Sequence, residues 1–435
     1  MKVRAVLYIG LTILAVGCSG KDTGLDGERK MPDGSVFVDS KAQFLVKSPP
    51  ALDLPNARSN TEWTHQGGNA QHYSGHVALS SDLTLQWATA IGQGDSRRSE
   101  ISASPIIQGD RIFTLDSQSL VTALRLDGSV IWQRNVSEAY SDVNEAFGGG
   151  LAVQGNKLFV TTGFGTVLAL SVSSGEGYWE QDLASFGGAS PTVFDDLLYV
   201  SARDGAAWAI ETSTGRIKWQ VVGQSVQSSY TGGPGAAVSD KYALFPFGSG
   251  DLVAAFRLGG QRSWSSILSG ARLGRARGQV QDLTGQPVIE GSVVYLANSS
   301  GRMAAIDLDT GLRLWTANQG SQDDIFVVGS SLFAVSDENN LIRVSKADGK
   351  LVWSTPLPQS TQASMLRRGK TFVHHGPILS GGRLLLASSD ALIRQFDPAN
   401  GDLIKIIEMP SGAASAPIVV CLLYTSPSPR DSSES

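Results

Sequence analysis

A glycine followed four residues later by a tryptophan recurs along this chain, and a repeat of that kind admits few folds. It occurs at Gly128/Trp132, Gly175/Trp179, Gly215/Trp219, Gly260/Trp264, Gly311/Trp315 and Gly349/Trp353. A seventh copy, Gly401/Lys405, has lost the indole, and Trp87 stands ahead of the series without its glycine. The seven intervals from residue 87 to residue 405 average about 45 residues, the period of a four-stranded propeller blade.

Each unit repeats one grammar. A small or polar residue and a proline often open it, as in Ser104-Pro105, Ser190-Pro191, Gln286-Pro287 and Gly376-Pro377. A turn and an apolar strand follow, for example Gly109-Asp110-Arg111-Ile112-Phe113. An alternating strand such as Met303-Ala304-Ala305-Ile306 then leads through Asp309-Thr310-Gly311 to the tryptophan strand. Period-two alternation between glycine turns is the signature of hairpins, and no stretch keeps a helical period. The glycine permits positive φ in a tight turn. The tryptophan, on an outermost strand, has a large ring to lay over the neighbouring blade, so these indoles are packing residues before they are ligand platforms. Leu83 to Ile91, around Trp87, reads as a single outer strand donated to the last blade, which hides edge strands by closing the ring. The expectation is an all-β chain: an eight-bladed β-propeller of four-stranded blades over 61–420, the last blade shared between an N-terminal strand and the C-terminus.

The two ends do not follow the repeat. Lys2 and Arg4 precede an apolar run from Val6 to Val16, too short to span a bilayer and of the length of a signal-peptide core. The run ends in Leu14-Ala15-Val16-Gly17-Cys18, which resembles the lipobox of bacterial lipoproteins, with Ala15 where that motif prefers leucine. The resemblance implies that 1–17 is a signal peptide and that Cys18 carries acyl chains. Ser19 in the next position then implies delivery to the outer membrane. Residues 18–60 are polar and rich in proline, a tether with an irregular arm. At the other end an eighth unit opens with Ala416-Pro417-Ile418-Val419-Val420, but no glycine turn or alternating strand follows. The segment 421–435 resembles translated sequencing-adapter sequence, which implies a missing native terminus; a degenerate last blade is the other reading.

Composition narrows the function. Apolar residues make up 41% of the chain, enough for a large core, and the net charge of −5 lacks the basic field of a nucleic-acid binder. With only Cys18 and Cys421, the paired clusters of a structural zinc site cannot form. His374-His375, as neighbours in a strand, point to opposite faces and would not share a metal. His65, His72 and His76 read as polar surface or turn contacts. No Gly-x-Ser-x-Gly elbow or phosphate-cradling loop is present.

The Gly-to-Trp repeat, the lipobox-like start, the shared-blade layout and the stretch Trp63-Thr64-His65-Gln66-Gly67-Gly68-Asn69 together resemble the PQQ-like propeller family, from about residue 61 to 420. Within it the chain is most similar to the lipoproteins that serve outer-membrane β-barrel assembly. That resemblance implies a periplasmic scaffold, lipid-anchored in the outer-membrane bilayer, working without a cofactor. Its partners would be the barrel-inserting protein's periplasmic domains and the accessory lipoproteins. It also implies that loops between central blades carry the contacts, one of them Arg272 to Gln286, where Asp282 matches an acidic position of the partner-binding loop. The adjacent loop of the family carries an arginine between leucines; here Val226 to Tyr230 reads Val-Gln-Ser-Ser-Tyr. Arg272, Arg275 and Arg277, beside Tyr230 and Asp282, are the candidates to supply that cation, their bland reading being a solvated loop. Arginine suits the role because its fork pairs with carboxylates at low entropic cost.

Two other readings stand beside the scaffold. A quinoprotein dehydrogenase would carry an adjacent cysteine pair, a calcium-binding Glu/Asn set and a basic aspartate on the axis, and no such constellation is visible. A propeller that binds a sugar or a peptidoglycan fragment would need exposed aromatics near the axis, for which Tyr230, Phe245 and Phe247 are candidates.

Overall fold

The computed structural model describes residues 51–94, 100–137, 149–185, 189–202, 204–224, 233–270, 282–321, 323–360, 371–420 and 423–425. Among them there is no helix. Seven four-stranded antiparallel sheets follow one another along the chain, spanning 106–135, 149–182, 192–222, 237–267, 288–317, 326–356 and 374–408. In each, the four strands pair in chain order. The first strands of successive sheets touch one another, and the last strands are the most exposed. These sheets are therefore propeller blades, arranged radially with first strands innermost.

The repeat takes its meaning at the blade boundaries. Each repeat glycine has φ between 71° and 83° and seats the indole of the preceding unit. A Cβ at Gly128, Gly175, Gly215, Gly260, Gly311, Gly349 or Gly401 would lie 2.6–2.7 Å from Trp87, Trp132, Trp179, Trp219, Trp264, Trp315 or Trp353, respectively. The indole N–H also crosses the boundary: Trp132 donates to the Val172 carbonyl at 3.1 Å, Trp179 to Thr212 at 3.0 Å and Trp264 to Leu308 at 2.9 Å. Within their own blades Trp132 and Trp179 meet an aromatic of the second strand, Phe113 at 6.1 Å and Phe159 at 6.0 Å between centroids. The repeat indole also faces a small partner across the sheet, at Ala123, Ala169, Ala209, Ala254 and Ala305. The outer strand is bulged beside each of these pairs, which adds the local twist that lets the ring reach sideways.

Among the described residues the ring has seven four-stranded blades, not the eight expected from the repeat count. The eighth unit contributes only a two-stranded sheet, Ile418–Val420 paired with Leu423–Thr425. Among the described residues, the segment around Trp87 pairs with no neighbour and forms no strand. Its side chains nevertheless keep the boundary contact. Trp87 donates to the Leu126 carbonyl at 2.8 Å and Thr89 to the Gly128 carbonyl at 2.7 Å. One apolar cluster joins blades 6 and 7, Ile418–Val420 and blade 1, with Leu83, Trp87 and Ile91 packed against it. Burial closes the ring there where backbone pairing does not.

Gly260→Ala is expected to cost about 2–4 kcal/mol in equilibrium urea unfolding, because it forces both positive φ on an L-residue and a Cβ into Trp219. Trp219→Ala should cost about 3–5 kcal/mol. The double variant should cost clearly less than the two together, since removing the ring removes the clash; strict additivity would contradict the interlock.

Candidate functional site

A single segment, residues 63–77, ties the inner strands of the propeller together. Trp63 exchanges two backbone hydrogen bonds of 2.8 Å with Ile107 in blade 1, and Val153 in blade 2 donates to the Thr64 carbonyl at 3.0 Å. The His65 imidazole Nε2 lies 2.9 Å from the Val193 carbonyl in blade 3. Val238 of blade 4 donates to Ala70 at 2.7 Å, and Ile289 of blade 5 donates to Gln71 at 2.9 Å. Tyr73 packs on the apolar cluster shared by blades 5 and 6. Ser380 and Gly381 of blade 7 donate to the Val77 carbonyl at 3.0 and 2.8 Å. The inner edges of the sheets, which would otherwise face the axis unpaired, are capped by this segment.

The segment can turn sharply enough because Gly67 and Gly68 have φ of 78° and 104°. Asn69 then locks the bend: its carboxamide oxygen accepts from the backbone N–H of Gln71 and Tyr73 at 3.0 and 3.1 Å, and its nitrogen donates to the Tyr73 carbonyl at 2.7 Å. The expectation that His65 and His72 are surface or turn residues is corrected here. Both are buried, with relative exposures of 5% and 6%, and both act as cross-blade struts, His72 through Nδ1 to the Pro287 carbonyl at 2.9 Å. Burial holds them neutral. His65 is lowered to about 3, with the proximity of His72 adding to burial, and His72 is lowered to about 4. His76 does behave as a turn contact, between Pro55 and Gly382.

Around the segment, the starts of the inner strands place polar groups close to the axis. The Ser190 hydroxyl donates to the Gln66 carboxamide at 2.6 Å, and the Gln286 backbone N–H donates to Asp324 at 2.8 Å. Asp323 accepts the Gly376 N–H at 3.0 Å and lies 3.5 Å from His375. Burial works to raise Asp323, but the His375 contact and the N–H groups of Gly376 and Asp324 outweigh it and keep the carboxyl below its ordinary value. Asp324 is pushed up to about 7, first by burial and then by the Asp323 charge. His374 turns the other way, to the Ser388 hydroxyl at 2.6 Å and the Pro358 carbonyl at 2.8 Å, so the two adjacent histidines do diverge. No group of three metal-ligating side chains comes together among the described residues. A small cavity, about 40 Å³ for water-sized guests, is bounded by Trp63, His72, Gln286, Asp324, Phe326 and Ile418.

This acidic cluster was not picked out from the sequence, although a signal existed. Where most other units open with a residue-proline pair, unit six reads Asp323-Asp324-Ile325. Two carboxylates in a register that lies beside the axis are a departure that a closer comparison of units exposes.

Of the residues expected to meet a partner, Tyr230, Arg272, Arg275 and Arg277 lie outside the described residues, as does Cys18. Asp282 is described and is 3% exposed. It sits at the foot of its loop, where its carbonyl accepts the Ser299 N–H at 3.4 Å and the following Leu283 bridges to Asn298. Tyr230 falls between the outer strand of blade 3, Ile217–Val222, and the inner strand of blade 4, Ala237–Val238. The three arginines fall between Arg262–Ile267 and Val288–Glu290, the corresponding strands of blades 4 and 5. Connections of this type begin and end on one face of the propeller, the face on which Gln286 and Asp324 open their inner strands. Phe245 and Phe247 are buried in the core of blades 3 and 4, so they offer no aromatic platform.

Comparison with known proteins agrees with this geometry. The family model described as outer membrane protein assembly factor BamB matches residues 140–355 and 322–405. BamB of Yersinia pestis is 26% identical over 342 residues, covering 77% of this chain and 84% of the relative. BamB of Shewanella oneidensis is 24% identical over 345 residues, with the same two coverages of 77% and 84%. Among solved structures, BamB from Moraxella catarrhalis superposes with a TM-score of 0.63 at 19% identity, covering 76% of this chain and 95% of that one. A quinohemoprotein alcohol dehydrogenase from Comamonas testosteroni reaches 0.65 at 14% identity, covering 84% of this chain and 76% of its own. At these identities the two structures establish the fold. Here residues 63–77 run across the inner strands beside the axis.

Two pH effects follow, of opposite sign. His65 and His72 have lowered folded values, so their contribution to stability is present above about pH 6.5 and is lost as pH falls toward 4 and 3. His72→Asn should therefore flatten the fall of the urea midpoint between pH 6.5 and 4. Asp324 has a raised folded value, so its contribution is present below its ordinary value of 3.8 and is lost as pH rises through about 7. Asp324→Asn should gain stability relative to the parent chain at pH 8 and not at pH 4; a pH-independent change in midpoint would contradict the assignment.

Proposed function

The chain belongs to the family of the outer membrane protein assembly factor BamB, and on that footing we propose that it is a scaffold of the outer-membrane β-barrel assembly machinery. It binds the periplasmic domains of the barrel-inserting protein, faces the periplasm, and is held to the outer membrane by acyl chains on Cys18. The observation that carries the reading is the family match across blades 2–7. The architecture supports it. A ring locked at every blade boundary and capped along its axis presents its interblade loops from a rigid frame, which lowers the ordering cost of binding. The paired loops on the face shared with Asp324 are the contact surface in this reading, with Tyr230 on one and Arg272, Arg275 and Arg277 on the other. Asp282, buried at the foot of the second loop, contributes by positioning it. The chain does no chemistry in this reading; its role is to hold a partner.

The test is recovery from detergent-solubilised envelopes with a chromosomally tagged chain. The barrel-inserting protein and its accessory lipoproteins should co-purify. Arg275→Glu with Arg277→Glu should weaken that association at least tenfold, about 1.4 kcal/mol, while leaving the urea midpoint unchanged. Cys18→Ala should release the chain from the membrane fraction. Clean absence of the barrel-inserting protein, with the tagged chain folded and membrane-bound, would overturn the scaffold reading.

A further inference from the structure

The residue three places after the repeat tryptophan closes, or just follows, the outer strand on the loop face. Blades 1, 2, 5 and 6 place Asn135, Asp182, Asn318 and Pro356 there, whereas blades 3 and 4 place Val222 and Ile267. These two aliphatic side chains are 67% and 49% exposed, at a position that Asn135 and Asp182 show to accept a polar residue. The residue two places after the next repeat glycine approaches this point across the blade boundary. It is Gly177, Ile217, Leu351 or Leu403 at four of the boundaries, and an arginine at the other two, Arg262 and Arg313. The Arg262 Nη2 donates to the Val222 carbonyl at 3.4 Å, and the Arg313 Nη2 donates to the Ile267 carbonyl. An exposed aliphatic residue and an arginine thus occur together at the boundaries of blades 3/4 and 4/5, and at none of the other boundaries between blades 1 and 7.

We propose that Val222 with Arg262 and Ile267 with Arg313 form a two-point docking surface on the rim of the loop face, which receives a polypeptide surface offering apolar side chains flanked by carboxylates. An exposed aliphatic side chain gains free energy by leaving water. An arginine fork beside it selects a carboxylate over a neutral or cationic group. Both arginines are exposed, and the bond to the carbonyl uses one N–H group of each and leaves the others to a partner. Desolvated apolar contact beside arginine is the composition of binding hot spots. Position supports the assignment as well. Val222 leads into the connection that carries Tyr230, and Ile267 into the one that carries Arg272, Arg275 and Arg277. Backbone pairing of Val222 with Ala206 and of Ile267 with Asp251 holds both points in place before a partner arrives. The inference rests on the scaffold reading for the identity of the occupant, the barrel-inserting protein's periplasmic domains, and adds to the loops a contact made by the frame itself.

The test is calorimetric titration of the detergent-purified full chain with those periplasmic domains. Val222→Ser with Ile267→Ser should weaken binding at least tenfold and leave the urea midpoint unchanged, since both side chains already face solvent. Val130→Ser removes an aliphatic side chain that is 43% exposed on the outer strand of blade 1, and should bind as the parent chain does. Arg262→Gln with Arg313→Gln should also weaken binding, and should flatten the loss of affinity on going from low to high sodium chloride. Parent-like affinity in both double variants would overturn the docking surface and leave the scaffold reading standing. A parent chain that does not bind the domains would remove both. Self-association of the parent chain that the aliphatic double variant abolishes would give the surface to a second copy of this chain, which also contradicts the proposal.

Discussion

The seating of one blade's tryptophan on the next blade's glycine is the contact on which the rest of this propeller depends. A four-stranded sheet has two faces to bury, and each of these sheets buries them only against its neighbours. The indole supplies the area, and the glycine supplies both the positive φ of the turn and the missing Cβ that lets the ring approach. The alanine opposite the ring and the bulge beside it aim the indole across the boundary. None of these parts works alone, so the repeat is a set of coupled constraints rather than a list of favoured residues.

The axis is governed by a different constraint. Inner strands converge there with free edges, and residues 63–77 answer with backbone pairing and two buried neutral imidazoles. Concentrating polar groups in so small a space raises one carboxyl and lowers its neighbour. The same rigid frame fixes the ends of the interblade loops, so the loops are free to vary in sequence without disturbing the ring.

Much of this was legible in the residues. The Gly-to-Trp spacing carried the blade period and the position of the outer strands, because one local geometry requires both residue types. The count of eight failed where the signal was weakest. Lys405 replaces the indole, no turn follows Val420, and the strand around Trp87 was inferred from its tryptophan alone. A side chain can keep its seat on Gly128 without its backbone joining a sheet, and sequence periodicity does not separate the two cases. His65 and His72 were misread because burial by seven converging sheets is a tertiary property that their local polar context hides. Asp324 was legible only by comparing units in register. Asp282, singled out by the resemblance as a contact residue, is buried here, which its acidic side chain gave no sign of.

In the proposed scaffold, the interblade loops beside blade 4, on a rigid propeller, form the face that holds the assembly machinery. Photo-crosslinking in living cells tests it most directly, with a photoreactive residue placed at Tyr230 or Arg275 and, for comparison, at the exposed Lys218 on an outer strand. Adducts with the barrel-inserting protein are expected from Tyr230 and Arg275 and none from Lys218. Adducts from Lys218 with silent loops would contradict it.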